Sequence, residues 1–129
     1  MKRVVISIGT LLLALGLCGL STRYAIKVVK QGSTTTSFQF EPSGGSDATV
    51  KANTFLVVKR DASGQWNYKN PMWEIQLSPG RSKPISQIEY GRVPDGFKET
   101  TKAIPLDKST HYLAVGLTPG SGGSIEFEN

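Results

Sequence analysis

The chain has 129 residues and a single cysteine, Cys18, which falls in an apolar run near the N-terminus. The rest of the chain has none, so an intramolecular disulfide and a cysteine-based metal site are both excluded. Histidine is equally scarce. His111 stands alone, which excludes a histidine cluster for zinc within one chain. Beyond residue 30 there is also no charge excess. The net charge of +5 comes from Lys2, Arg3, Arg23, Lys27 and Lys30, while residues 31–129 hold ten basic and ten acidic side chains. A domain that tracks phosphates needs surplus Lys and Arg on its own surface, so no nucleic-acid partner is expected. No amphipathic helical pattern follows residue 31, and no internal repeat is visible.

One long hydrophobic run is present. Lys2 and Arg3 precede Val4 to Leu20, 17 strongly apolar residues. As a helix these span about 25 Å, a little less than a hydrocarbon core of about 30 Å. The run is also longer than the apolar region of an ordinary signal peptide. Three fates fit it: an uncleaved membrane anchor, a signal cleaved after Ser21, or a lipoprotein signal with Cys18 as the lipidated residue. The sequence Leu15-Gly16-Leu17-Cys18 resembles a lipobox only in part, because Leu17 is large. A fourth possibility is a buried helix of the domain. The N-terminal charges favour an N-inside orientation, opposed by Arg23, Lys27 and Lys30. The expected organisation is a signal peptide or single-pass anchor over 1–30, then a domain over 31–129. The expected location is the cell envelope, inner-membrane anchored or secreted to the periplasm.

After residue 31 the local signals are β. Ser33–Phe40 puts Phe38 and Phe40 on one face. Thr54–Arg60 reads as a strand buried on both faces at its centre. Asp61-Ala62-Ser63-Gly64 is a turn needing positive φ at Gly64, and Gln65–Lys69 returns as a hairpin arm. Met72–Leu77 alternates, with Trp73, Ile75 and Leu77 inward. Ile85–Tyr90 is a further strand, and Ala103–Leu106 a short edge strand. His111–Thr118 alternates with Leu113, Val115 and Leu117 inward, and Ser124–Glu128 with Ile125 and Phe127 inward. Residues 24–31 either extend the N-terminal helix or form a first strand, and Val28-Val29 favours the strand. The expected fold is all-β: a single antiparallel β-sandwich of about seven or eight short strands, preceded by an N-terminal hydrophobic helix.

Leu106, Thr110 and Tyr112 form L-x-x-x-T-x-Y ahead of an alternating strand. This resembles the corner of fibronectin type III-like sandwiches, and the resemblance implies that the tyrosine hydroxyl bonds to nearby backbone. It also implies a core tryptophan, for which Trp73 is the candidate. Ala114 and Gly116 depart from the large residues the family places after the tyrosine. More broadly the chain resembles small, uncharacterised envelope proteins of bacteria.

Candidate chemistry is sparse. Asp107, Ser109 and His111 lie within five residues, whereas a catalytic triad converges from separate elements. Glu74, Glu89 and Glu126 alternate with inward apolar residues and should face solvent. Pro119-Gly120-Ser121-Gly122-Gly123 lacks the Gly-Lys-Ser/Thr ending of a phosphate loop and reads as a turn. No catalytic residue, metal site or cofactor is expected. Trp66 and Tyr68 are the candidate binding residues: they form a flat platform for a sugar or a protein partner, or they pack into the core against Trp73. The expected role is a non-catalytic interaction or accessory domain outside the cytoplasm, associated with the membrane through its N-terminus and with an unknown envelope protein or glycan. The alternatives are a carbohydrate-binding module and, less favoured, a small hydrolase.

Overall fold

The computed structural model describes residues 22–31, 35–42, 50–118 and 121–129. Among these the fold is all-β, with strands β1 (Thr22–Gln31), β2 (Thr35–Pro42), β3 (Lys51–Ala52), β4 (Thr54–Lys59), β5 (Trp73–Gln76), β6 (Lys83–Pro84), β7 (Gln87–Glu89), β8 (Lys98–Thr101), β9 (His111–Thr118) and β10 (Ser121–Glu128). Eight of them form one sheet in the order β7-β2-β1-β10-β9-β4-β5-β8, and β3 pairs with β6 alone. The run Val4–Leu20 and Cys18 lie outside the described residues, and with them the expected N-terminal helix. Among the described residues no helix is long and apolar enough to cross a membrane. Residues 22–30, grouped above with the N-terminal segment, belong to the sheet as β1.

The pairing is antiparallel, as expected, with one exception at the start of β1. Thr22 and Arg23 run parallel to Ser121 and Gly122. From Tyr24 to Gln31 the same strand pairs antiparallel with β2. β1 thus lies beside β10, and its opening residues join the two halves of the sheet.

Those halves fold onto each other. β2 and β4 stand four places apart in the sheet order, about 19 Å if the sheet were flat. Yet the Phe38 ring on β2 lies 5.1 Å from Phe55 on β4 and 5.3 Å from Phe127 on β10. Phe40 meets Phe55 at 5.7 Å. The result is a sandwich-like pair of layers with a shared aromatic core. Phe38, Phe55 and Trp73 are fully buried there, each contributing about 2–3 kcal/mol of apolar burial. The expected faces of β2 and β5 hold: Phe38, Phe40, Trp73 and Ile75 all enter this core.

β9 reverses its expected faces. Tyr112, Ala114 and Gly116 point into the core, while Leu113, Val115 and Leu117 lie with Leu56 and Val58 in a second cluster on the outer side. Size rather than hydrophobicity decides this. A Cβ on Gly116 would stand 2.6 Å from the Tyr24 hydroxyl and 3.1 Å from the Phe40 ring. Gly123, opposite Gly116 on β10, leaves no room for a Cβ beside the Tyr24 carbonyl oxygen and ring. The two glycines form a slot that the Tyr24 ring fills. One other segment also differs from expectation. Ala103–Leu106 is not a strand; the edge is β8. Lys51–Ala52 pairs with Lys83–Pro84.

The Tyr112 hydroxyl accepts a hydrogen bond of 2.7 Å from the Asp107 N–H, pinning the chain that leads into β9. The C-terminus completes this corner: Asn129 accepts from the Ser109 N–H at 3.0 Å, donates to Thr110 O at 3.1 Å, and its carboxamide donates to Leu106 O at 3.2 Å.

The slot generates a pair of contrasting expectations. Gly123→Ala should cost about 2 kcal/mol by overpacking, read from the urea midpoint, and Tyr24→Phe should leave that cost intact because the clash includes backbone. Gly116→Ala should be largely rescued by Tyr24→Phe, which removes the oxygen in its way. Equal rescue of both variants would refute the slot.

The Tyr24 hydroxyl is buried with no hydrogen-bond partner among the described residues, and this burial holds its pKa well above the ordinary tyrosine value. The stabilisation from keeping the phenol neutral is complete below about pH 10. It is lost as pH climbs from there toward the raised folded value. Urea midpoints should therefore fall between pH 9 and 11 (about one unit either side of the free phenol's pKa). In Tyr24→Phe the fall should be shallower; an unaltered slope would count against the buried phenol.

Candidate functional site

The candidate residues Trp66 and Tyr68 follow the turn at the end of β4. Asp61 organises that turn. Its Oδ1 accepts from the Ser63 N–H at 2.9 Å, from the Ser63 hydroxyl and from the Gln65 N–H at 3.1 Å. The hydrogen bonds from the Ser63 hydroxyl and the Gln65 amide hold its carboxyl below the usual range. Gly64 has φ 88°, a left-handed conformation open to glycine at little cost. The Asp61 N–H then donates to Gln65 O at 2.7 Å, and Arg60 bridges to Trp66.

The expected hairpin arm over Gln65–Lys69 stops there. Asn67 N–H still donates to Lys59 O at 2.8 Å, but Asn67 Oδ1 accepts from Asn70 N–H at 3.3 Å. That local bond draws the backbone out of the ladder into a turn. Trp66 and Tyr68 consequently do not share the face of a strand, and no ring contact joins them among the described residues.

Trp66 is half-buried and packs on the outer cluster of Leu56, Val58 and Val115. It is not a neighbour of Trp73, whose ring meets Phe55 at 6.0 Å and Tyr90 at 5.3 Å and whose Nε1 donates to Glu99 Oε2 at 2.8 Å. The Arg60 guanidinium lies over the Trp66 ring, its Cζ 4.0 Å from the centroid, in cation–π range. Arg60 Nη1 also donates to Gly64 O at 2.8 Å, and Nη2 stands 3.8 Å from Glu126 Oε2. Tyr68 is 37% exposed, and the burial of the remainder pushes its phenol up to about 12.

Arg60 was not singled out from the sequence. The signal was there in the register: a turn over 61–65 places residue 60 opposite residue 66. Glu126, expected to face solvent, does so and anchors the guanidinium across the sheet. Glu74 and Glu89 are half-buried at its surface, Glu89 beside Arg92 at 4.0 Å.

The residues tested for catalysis do not converge. His111 is exposed, its Nε2 3.8 Å from Glu128 Oε1. Ser109 is a turn residue with φ 60°. Asp107 contributes its backbone N–H to Tyr112. Among the described residues no group of histidine, cysteine or carboxylate side chains is placed to hold a metal ion.

The fold and this surface define an all-β protein with an arginine-capped tryptophan on the outer side of its larger layer. No protein-family model matches the chain, and no curated protein or solved structure matches it significantly.

Asp61→Ala should free the turn and with it Trp66. Acrylamide should then quench one tryptophan population more strongly while Trp73 stays protected, with little change in global unfolding. Quenching identical to the parent chain would show that the turn does not position the indole.

Proposed function

We propose that the chain is a non-catalytic interaction domain of the cell envelope, a β-sandwich displayed outside the cytoplasm by an N-terminal hydrophobic helix within residues 1–21. The single observation that carries this is the placement of its two ends. The chain enters the sheet at Thr22, next to Ser121 and hence beside the Thr118 end of β9. Arg60, Trp66 and Tyr68 follow Lys59, which pairs with Tyr112 near the other end of β9. A leader held in a membrane therefore leaves the arginine–tryptophan surface pointing away from it. The Tyr112 corner supports the likeness to fibronectin type III-like sandwiches, which are built to present their ends.

A protein partner fits this surface better than a sugar. A sugar ring stacks on a bare aromatic face, whereas the guanidinium already covers Trp66 at 4.0 Å. Paired Arg and Trp with a partly exposed Tyr are the residue types that anchor protein interfaces.

Two measurements test the proposal. Alkaline phosphatase fused after Gln31 should be active and a cytoplasmic reporter at the same point inactive; the opposite pattern would sink the location. A photo-crosslinking amino acid at Tyr68 in the full chain should capture a discrete envelope protein, and capture should drop about tenfold or more in Trp66→Ala (a hot-spot loss of about 2 kcal/mol or more). Retention on glycan arrays with no protein adduct would reverse the choice of partner.

A further inference from the structure

The charge neutrality of residues 31–129 conceals an asymmetry that only the topology reveals. Four cations from separate stretches gather at the end of the fold where the chain enters. Lys51 pairs with Pro84, and Ala52 with Lys83. The Asn53 carboxamide donates to Ser78 O at 3.4 Å and also to Arg81 O, so Arg81 lies at the same place. Lys98 pairs with Gln76, and Gln76 with Thr54. Thr54 in turn pairs with Leu117, beside Thr118 and its partner Ser121, which neighbours Thr22. Five strand spacings separate Thr22 from Lys98 along this end, about 24 Å.

All four side chains are exposed. Among the described residues Lys51, Arg81 and Lys98 have no carboxylate within ion-pair distance, since the pairs present are Lys27–Glu41, Arg60–Glu126, Arg92–Glu89 and His111–Glu128. Lys83 donates to a backbone oxygen, that of Asp95, at 2.6 Å. Asp95 and Glu41 are the carboxylates nearby, Glu41 meeting Lys27 at 3.3 Å; Glu74 accepts from Gln76, the strand partner of Lys98, and Glu99, next to Lys98, accepts from Trp73 Nε1. The stretch 43–49 carries a single charge, Asp47.

We infer that Lys51, Arg81, Lys83 and Lys98 form a docking face for anionic lipid headgroups. The inference rests on the anchored reading of residues 1–21. The apolar run ends at Leu20 and β1 begins at Thr22, so at most about 7 Å of chain can separate them. A span that short brings the entering end of the sheet to the headgroup layer with no room for a tether. Each cation near an anionic surface adds about fivefold to the partition.

The test uses the full chain with vesicles of neutral phosphatidylcholine or of the same lipid carrying a third phosphatidylglycerol. Amine labelling with mass-spectrometric readout is performed on the floated protein. Lys51, Lys83 and Lys98 should label at least about threefold more slowly on the anionic vesicles (the scale of a single cation–surface contact). Lys59, Lys69 and Lys108 should label equally on both. In Lys51→Glu/Arg81→Glu/Lys98→Glu, with its near-ultraviolet dichroism unchanged, Lys83 should lose its protection. Uniform labelling of a chain that floats and resists carbonate extraction would overturn the docking face and leave the anchor standing. Failure to float on either vesicle would overturn both. Protection by added RNA but not by anionic vesicles would assign the cations to a nucleic acid and overturn the inference.

Discussion

The close approach of Tyr24 to Gly116 and Gly123 is the contact on which the rest of the architecture depends. β1 has to leave β10 after two residues and continue along β2, and Tyr24 turns a large ring inward. That ring needs a place between the layers, and the paired glycines of β9 and β10 supply it. With the ring seated, β1 links the two halves of the sheet and the phenylalanines of β2 reach Phe55 and Phe127. The cost is a buried hydroxyl with no partner among the described residues, of the order of 1–3 kcal/mol. The apolar burial around it is several times larger.

The same constraint explains the two-sided character of β9. Its inner face at Gly116 is sized for Tyr24 and Phe40, so no side chain fits there. Its larger aliphatics face outward with Leu56 and Val58, and this outer cluster gives Trp66 an apolar seat. Arg60 then closes over the indole, held by Gly64 O and Glu126. The candidate surface is thus a consequence of how the core is filled one layer below.

Much of the fold was legible in local pattern. Alternation identified β2, β5 and β10 and their inward residues, Gly64 marked its turn, and L-x-x-x-T-x-Y marked the corner at Tyr112. The faces of β9 were not legible, because a strand apolar on both sides carries no polar phase and Leu113, Val115 and Leu117 outweigh Ala114 and Gly116 on any hydrophobic scale. The arm after Trp66 was overestimated, since a single Asn67 side-chain bond competes with the ladder and leaves no mark in periodicity. At the candidate site, Trp66 and Tyr68 stood out by residue type. Arg60 did not, because its importance comes from register across a turn.

The sequence by itself determined the all-β class, the absence of cysteine and histidine chemistry beyond residue 18 and His111, and the apolar run that precedes the sheet, for these follow from composition and period. Only the tertiary structure decided which face of β9 is inside, that β1 opens parallel to β10, and that four of the ten cations in a neutral stretch of sequence gather at one end. Those three outcomes depend on the filling of shared space and on which distant residues become neighbours. A one-dimensional pattern contains neither.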